Sequence, residues 1–319
     1  MIPFPVLHWR GDIILSSDLA IAGERTAFYS AVHRGEYTAI YRGVYVPTTV
    51  WMASSGDDRY LMRIMGAAHL DPDVAFSHHS AAALWRLPAV GAWPRHSHVF
   101  REHPALAART STFIRHSVPR PDDLDLIDGL RVTTLARTVL DMAIAGSHGQ
   151  AVVMADAALR RNDHAIEGVP RTLTTVDDLR HELSLISAPH GSAKARRVIE
   201  FADGRADRPG ESLSRVAMDV AHLPAPQLQV TLVGASGRKY VVDFWWPAAN
   251  LIGEFDGDAK YSDPAFLRGR TPEQALRDEK AREDDLRAAG HRMSRWGWKV
   301  ALEPRRLHAH LVAAGLRDR

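Results

Sequence analysis

The chain has 319 residues, with 40 Lys and Arg against 38 Asp and Glu and a formal net charge of +2. It contains no cysteine, which excludes disulfides, thiolate metal sites and cysteine nucleophiles. The length exceeds one typical core, so two or three domains are expected.

The first residues, MIPFPVLHWRGD, lack the basic-then-apolar layout of a signal peptide. No apolar run reaches the ~18 residues of a membrane-spanning helix, and a cytoplasmic location is expected. In the first 50 residues, Ser16-Ser17-Asp18 can cap a short helix through Ala22, ended by Gly23. A second helix is predicted from Arg25 to Arg34, with Gly35 in the C′ position. Two β-type runs, Tyr37 to Tyr41 and Val44 to Val46, flank Arg42-Gly43, and Pro47 closes the second. Two helices followed by a hairpin is the order of a winged helix-turn-helix. Such a unit would set its second helix in the major groove and Arg42 on phosphate; Arg25 and Arg34 are further candidates for DNA contact. A packing subdomain without DNA contact is the alternative.

Residues 51–150 read as a middle mixed α/β domain. Helices are predicted over Leu61 to Leu70 and Ser80 to Trp85, and strands over Ser97 to Phe100 and Thr112 to His116. Thr133 or Thr134 caps a helix through Ala143. Residues 151–204 form a helical linker region with turns at Asn162-Asp163, Gly168-Val169-Pro170 and Pro189-His190-Gly191. The stretch GRADRPG, residues 204–210, is the best candidate boundary. His78-His79, His96, His98, His103 and His116 invite a zinc reading. No orienting carboxylate pattern accompanies them among the 17 histidines of the chain.

After the boundary the predicted order is a helix from Glu211 to His222, strands over Gln227 to Val233, Lys239 to Trp246 and Leu251 to Asp256, a helix from Pro272 to Ala289, and a strand over Arg292 to Trp296. Thr271 to Gln274 is a capping box with proline at N1, and Gly290 ends that helix. If Pro247 to Asn250 form a four-residue loop, Trp246 pairs with Leu251 and Asp243 falls opposite Glu254. Asp256, two residues on, shares that face by the strand period of two. The reverse face would carry Val242, Phe244 and Trp246 with Leu251, Gly253 and Phe255. Like charges paired across strands are destabilising, so something cationic must compensate three carboxylates beside a core. A Mg²⁺ or Mn²⁺ ion is one answer, with Glu211 as a further carboxylate and Lys260 or Lys280 assisting the attacking water. Arginines from Arg277 or Arg282 are the other.

Residues 291–319 hold seven Lys or Arg and two acids, which suits either a phosphate-backbone partner or a solvated surface helix. Trp245, Trp246, Trp296 and Trp298 can stack on bases or fill a core; their strand alternation favours the core. No Walker A motif, Rossmann glycine fingerprint or G-x-S-x-G elbow is present.

The series Glu211, Asp243, Glu254-Phe255-Asp256, Lys260 and Lys280 resembles the PD-(D/E)XK nuclease superfamily. The strings YVVDFWWP, LIGEFDGDAKY and LRDEKAREDDLRAAGHRMSRW look like its small domains related to very-short-patch-repair endonucleases. The strings ERTAFYSAVHRGEYTAIYRGVYVP, FSHHSAAALWRLP and GLRVTTLARTVLDMA resemble AbiEi-type antitoxins. The resemblance implies a multidomain α/β (α+β) chain: a winged helix over 1–50, a middle domain over 51–150, the linker over 151–204, and a restriction-endonuclease-like sheet flanked by helices over 205–319. It implies that Asp243 and Glu254 hold Mg²⁺ or Mn²⁺ with help from Glu211, and that the chain cuts DNA, with Arg282 and Arg295 as added DNA contacts. Two positions depart from the pattern: Val242 stands in place of the proline, and Asp256 in place of the motif lysine, a role Lys260 or Lys280 could fill. A DNA-binding regulator or antitoxin with a silent nuclease-like domain is the competing expectation. A repair factor that needs a protein partner, or a homodimer, is a third.

Overall fold

The computed structural model describes residues 9–21, 24–100, 108–117, 123–160, 174–186, 191–206, 208–257 and 271–317. The chain is a mixed α and β protein of two compact units. Unit 1 is Met1–Met154 with Asn162–Phe201, and unit 2 is Ala155–Arg161 with Ala202–Arg319. Among the described residues no helix is long and apolar enough to cross a membrane.

Unit 1 opens with β1 (Ile14–Leu15), α1 (Ser16–Ile21), α2 (Arg25–His33), β2 (Tyr37–Tyr41) and β3 (Val44–Pro47). The strands form an antiparallel sheet in the order β1-β3-β2. Helix α2 ends as predicted at Gly35, whose φ of +81° is open to a residue without Cβ. Phe28 turns inward from α2, its ring 4.8 Å from Tyr37 and 5.2 Å from Tyr45 between centroids. The opposite face leaves Arg25, Ser30 and His33 exposed.

Next come α3 (Thr48–Ala53) and α4 (Gly56–Leu70). Helix α4 begins five residues before its predicted start. Ser55 accepts the Asp58 N–H, and Asp57 and Asp58 sit at the positive end of the helix, a polar first turn that apolar spacing cannot reveal. A five-stranded mixed sheet follows, built from β4 (Ala75–Phe76), β5 (Ser97–Phe100), β6 (Phe113–His116), β7 (Leu124–Ile127) and β8 (Leu130–Thr133), in the order β6-β5-β4-β8-β7. Strands β4, β7 and β8 are too short or too irregular in pattern for periodicity to show them. Helix α5 (His78–Leu84) follows β4, and α6 (Leu135–Ala145) starts at Thr134, which accepts the Arg137 N–H. Helices α7 (His148–Leu159), α8 (Val176–Leu185) and α9 (Ser192–Phe201) occupy the predicted helical stretch. The turns expected at 162–163, 168–170 and 189–190 lie outside the described residues.

Unit 2 contains α10 (Pro209–Val220), β9 (Gln227–Val233), β10 (Lys239–Trp246), β11 (Leu251–Phe255), α11 (Pro272–Ala288), β12 (Arg292–Trp296), α12 (Trp298–Ala301) and α13 (Pro304–Ala313). Its sheet order is β12-β11-β10-β9, antiparallel except for the parallel β11–β12 pair. A parallel pair needs a crossover, which α11 supplies. The β10–β11 register is the predicted one, with Trp246 opposite Leu251, Trp245 opposite Ile252 and Phe244 opposite Gly253. One face packs Phe244, Trp246, Leu251, Phe255 and Trp296 into the main core.

The expectation for Val242 does not hold. Val242 packs with Ile252 and Leu286 in a second cluster, not with Phe244 and Trp246. The cause lies on the neighbouring strand: Gln229 has φ +51°, and the pairing of β9 with β10 is interrupted there between Val230–Val242 and Leu228–Phe244. The basic C-terminal helix α13 turns Arg305 and Arg306 to solvent, as a surface helix does, while its other side packs. Leu307, Leu311 and Leu316 are buried in the main core.

Candidate active site in the C-terminal unit

The site is assembled where the interrupted strand pair meets the first turn of α10. Pro209 occupies the start of that helix, where its missing N–H is no loss. Gly210 lies so close to β11 that an added Cβ would stand 2.0 Å from the Phe255 ring. This approach brings the next residue, Glu211, against the sheet, with 3% of its surface exposed.

The Gln229 amide joins two carboxylates. Its Nε2 donates to Glu211 Oε2 at 3.0 Å and to Asp243 Oδ1 at 3.4 Å. The other oxygen of Asp243 accepts the Phe255 backbone N–H at 3.0 Å. Glu254 is level with Asp243 across the β10–β11 pair by the register, and is 3% exposed. Burial first, and then the Asp243 charge, push the Glu254 carboxyl up to about 7. Arg282 opposes that rise. Its Nη2 donates to Glu254 Oε1 at 2.8 Å and to the Val241 carbonyl at 2.6 Å, while Nη1 donates to Glu279 at 2.9 Å.

Asp256 stands beside Arg295. It follows the end of β11, its N–H bonds the Trp296 carbonyl, and its side chain, 37% exposed, lies 3.5 Å from Arg295. Arg295 also bonds Glu279 and lies 3.5 Å from Glu283. The structure therefore draws Arg282 and Arg295, expected as DNA contacts, into ion pairs with carboxylates around the site.

Lys280 is exposed on α11. A helix turns ~100° per residue, so two positions from Lys280 to Arg282 rotate by ~200° and only one of them can face the sheet. Lys260 lies outside the described residues. Arg277, the other arginine considered, is exposed and bonds the Glu273 carbonyl within its own helix. Gln229 is the site residue that sequence reasoning missed, because a polar residue in an edge strand gives no sign of a left-handed backbone.

Among the described residues, no three histidine or acidic side chains are arranged to hold a metal ion. The chemistry of the donors explains this, and it splits the set in two. Glu211 and Asp243 suit a hard divalent cation, since both aim an oxygen at a single neutral amide that a cation can displace. The same amide, turned by 180°, would present oxygen rather than nitrogen at that point. Glu254 is committed to Arg282 and would join only once the guanidinium moved.

In unit 1 the three candidate DNA contacts are exposed: Arg25 at the start of α2, Arg34 at its end, and Arg42 at the β2–β3 turn. Arg34 pairs with Glu36 at 2.7 Å.

No family signature matches the chain. Two curated proteins of Mycobacterium tuberculosis are similar to part of it: "Uncharacterized protein MT2308" from strain CDC 1551 / Oshkosh and "Uncharacterized protein Rv2248" from strain ATCC 25618 / H37Rv. Each is 31% identical over 149 residues, which is 46% of this chain and 51% of the relative. The alignment thus spans about half the length of the curated relatives it matches.

Proposed function

We propose that unit 2 is a metal-dependent phosphodiesterase acting on DNA, with Glu211 and Asp243 as the metal-holding pair and Glu254 as the proton carrier. The observation that carries the reading is the group of buried Glu211 and Glu254 with half-buried Gln229 and Asp243 at the interruption of a strand pair. Like-charged carboxylates seldom gather beside a core, and strained backbone concentrates at functional sites. A divalent ion bound there would polarise a phosphoryl oxygen and offset the charge that develops on it.

The chain's own groups divide the remaining work. Phe255 N–H fixes one oxygen of Asp243, leaving the other to face the site. A Glu254 carboxyl near 7 exists in both protonation forms at neutral pH, so it can take a proton from an attacking water and return it to a leaving oxygen. Arg282 holds Glu254 in position through its shared contact with the Val241 carbonyl.

The Arg282–Glu254 pair is also what favours the second reading, a DNA-binding regulator or antitoxin with a silent nuclease-like unit. An arginine already pairs with that carboxylate, and Lys280 is exposed. The exposed Arg25, Arg34 and Arg42 would then do the binding.

Calorimetric titration of wild type and Asp243→Ala with Mg²⁺ and Mn²⁺, followed by incubation with single-stranded, duplex and branched DNA, separates the two. Binding and cleavage by the wild type, both lost in the variant, are the expected result. Cleavage that survives Asp243→Ala overturns the site, and DNA binding without metal uptake or cleavage establishes the regulator.

A further inference from the structure

Unit 1 holds a second concentration of ionisable groups that the proposed function does not use. Four histidines converge on one side of the five-stranded sheet: His78 and His79 on α5, His98 on β5 and His116 on β6. The His78 and His116 rings stack with centroids 3.5 Å apart, and His98 Nδ1 lies 2.9 Å from His116 Nε2 in a hydrogen bond. His79 stands edge-on to His98 at 4.8 Å. Helix α6 adds Asp141, whose carboxylate lies 3.7 Å from His78 Nδ1, and Arg137, whose Nε donates to Asp141 at 2.9 Å. Helix α8 adds the charge of Glu182 toward Asp141, with Asp123 and His181 beside it, and His96 and Arg109 approach from outside β5. The orienting carboxylate that the sequence did not show is therefore supplied by another element. The stacked rings nevertheless place their nitrogens in parallel planes, and no three of these groups are set to hold a metal.

Two further features mark the cluster. His98 is 7% exposed and its Nε2 has no hydrogen-bond partner, as is true of His79 Nδ1. His78, at the first position of α5, has φ +48°, a strained backbone for a residue with Cβ. Rings stacked at 3.5 Å in a buried site can be accommodated only if they stay neutral, because two imidazolium charges there would repel without water to screen them.

We propose that the four-histidine cluster is a proton-triggered latch: in weak acid its rings take up protons, and the α5, β5, β6 and α6 portion of unit 1 opens while unit 2 stays folded.

Burial holds all four rings below the ordinary histidine range, with His98 at about 3, His116 at about 4, and His78 and His79 lowered. Each ring therefore favours the closed form fully above the free value of ~6.5 and withdraws that support as pH falls below it. Asp141, raised by burial to about 6, and Glu182, also raised by burial, act in the opposite sense. Both keep a proton in the closed form that they lose on opening. Below about pH 6 four rings against these two acids leave a net uptake of roughly two to three protons, so the opening constant there rises about 100- to 1000-fold per pH unit.

Hydrogen–deuterium exchange of the full chain between pH 7.5 and 5, corrected for intrinsic rates, reads this directly. Amides of β5, β6 and α6 should lose protection with a slope that steepens to roughly two to three protons below about pH 6, while those of β10 and β11 keep theirs. His116→Gln, on the half-buried rim, should reduce the slope by about one proton, and His33→Gln, on exposed α2, should leave it unchanged. An unaltered slope in His116→Gln, or simultaneous loss of protection in both units, overturns the proposal. Ring C–H resonances provide a test independent of any substitution. The four rings should stay in their neutral positions until opening, and ordinary titration near 6.5 in the folded chain would also overturn it.

Discussion

At the scale of single residues, Glu254 is the group whose state is most sensitive to its neighbours. Its carboxyl is lifted first by burial and then by Asp243, and lowered by Arg282 and Arg295. An acid raised in the folded state stabilises the fold at low pH. That support is lost as pH climbs from its unfolded value of about 4.5 through about 7. The penalty at pH 8 is about 3.5 kcal/mol at most, since each tenfold change in proton affinity is worth ~1.4 kcal/mol. Asp243→Asn removes a charge while keeping the burial. It should move the Glu254 titration back toward the carboxylate range and make the chain more stable at pH 8 relative to pH 5. Arg282→Met should move the titration the other way. Carbon-13 detection of the glutamate carboxyls follows both, and a Glu254 titration indifferent to Asp243→Asn would mean that the two carboxylates do not sense each other.

At the scale of elements, what the sequence shows and what it hides follow from the range of the interactions involved. The β10–β11 register was legible because a tight loop and a two-residue period leave a single alignment of Trp246 with Leu251. The capping box at Thr271 and the glycine at 290 fixed α11 in the same local way. The rotation of α11 about its axis was not legible. It is set by packing across a crossover, and it decides that Arg282 rather than Lys280 reaches Glu254. The reversal at Gln229 is equally hidden, so strict two-residue alternation puts Val242 on the wrong face. Helix α10 shows how one small residue sets a whole element. Gly210→Ala would drive Cβ into the Phe255 ring, which stands beneath Gly210 and is itself packed in the core. Overpacking of this kind destabilises by about 1–3 kcal/mol. It should also lift Glu211 off Gln229, so denaturant melting should show the loss of stability and calorimetry a weaker uptake of Mn²⁺. A variant with wild-type stability and metal uptake would mean that α10 has room to shift without disturbing the site.

At the scale of the whole molecule, two cores raise the question of how many cooperative transitions the chain has. Unit 1 is built around Tyr60, Phe76, Leu140 and Met142, and unit 2 around Phe244, Leu251, Trp296 and Leu307, with each set buried within its own unit. A protein with more than one core need not melt as a single two-state system. Ligands that bind only one folded unit stabilise that unit by mass action. If Glu211 and Asp243 hold a divalent cation, Mn²⁺ at ~100 times its dissociation constant adds about 2.7 kcal/mol to unit 2 alone. For a core of about 120 residues that raises its melting temperature by roughly 10 °C or more. Differential scanning calorimetry should resolve two transitions, one moved upward by Mn²⁺ and one left in place, with Asp243→Ala abolishing the movement. Lowering the pH toward 5 should move the other transition downward, because the histidines of the latch lie in unit 1 and the carboxylates of the site in unit 2. Separate responses to proton and metal would assign each transition to its unit by chemistry. A single transition moved by both would show that the two units fold as one, and would overturn the latch, which requires unit 2 to stay folded while part of unit 1 opens.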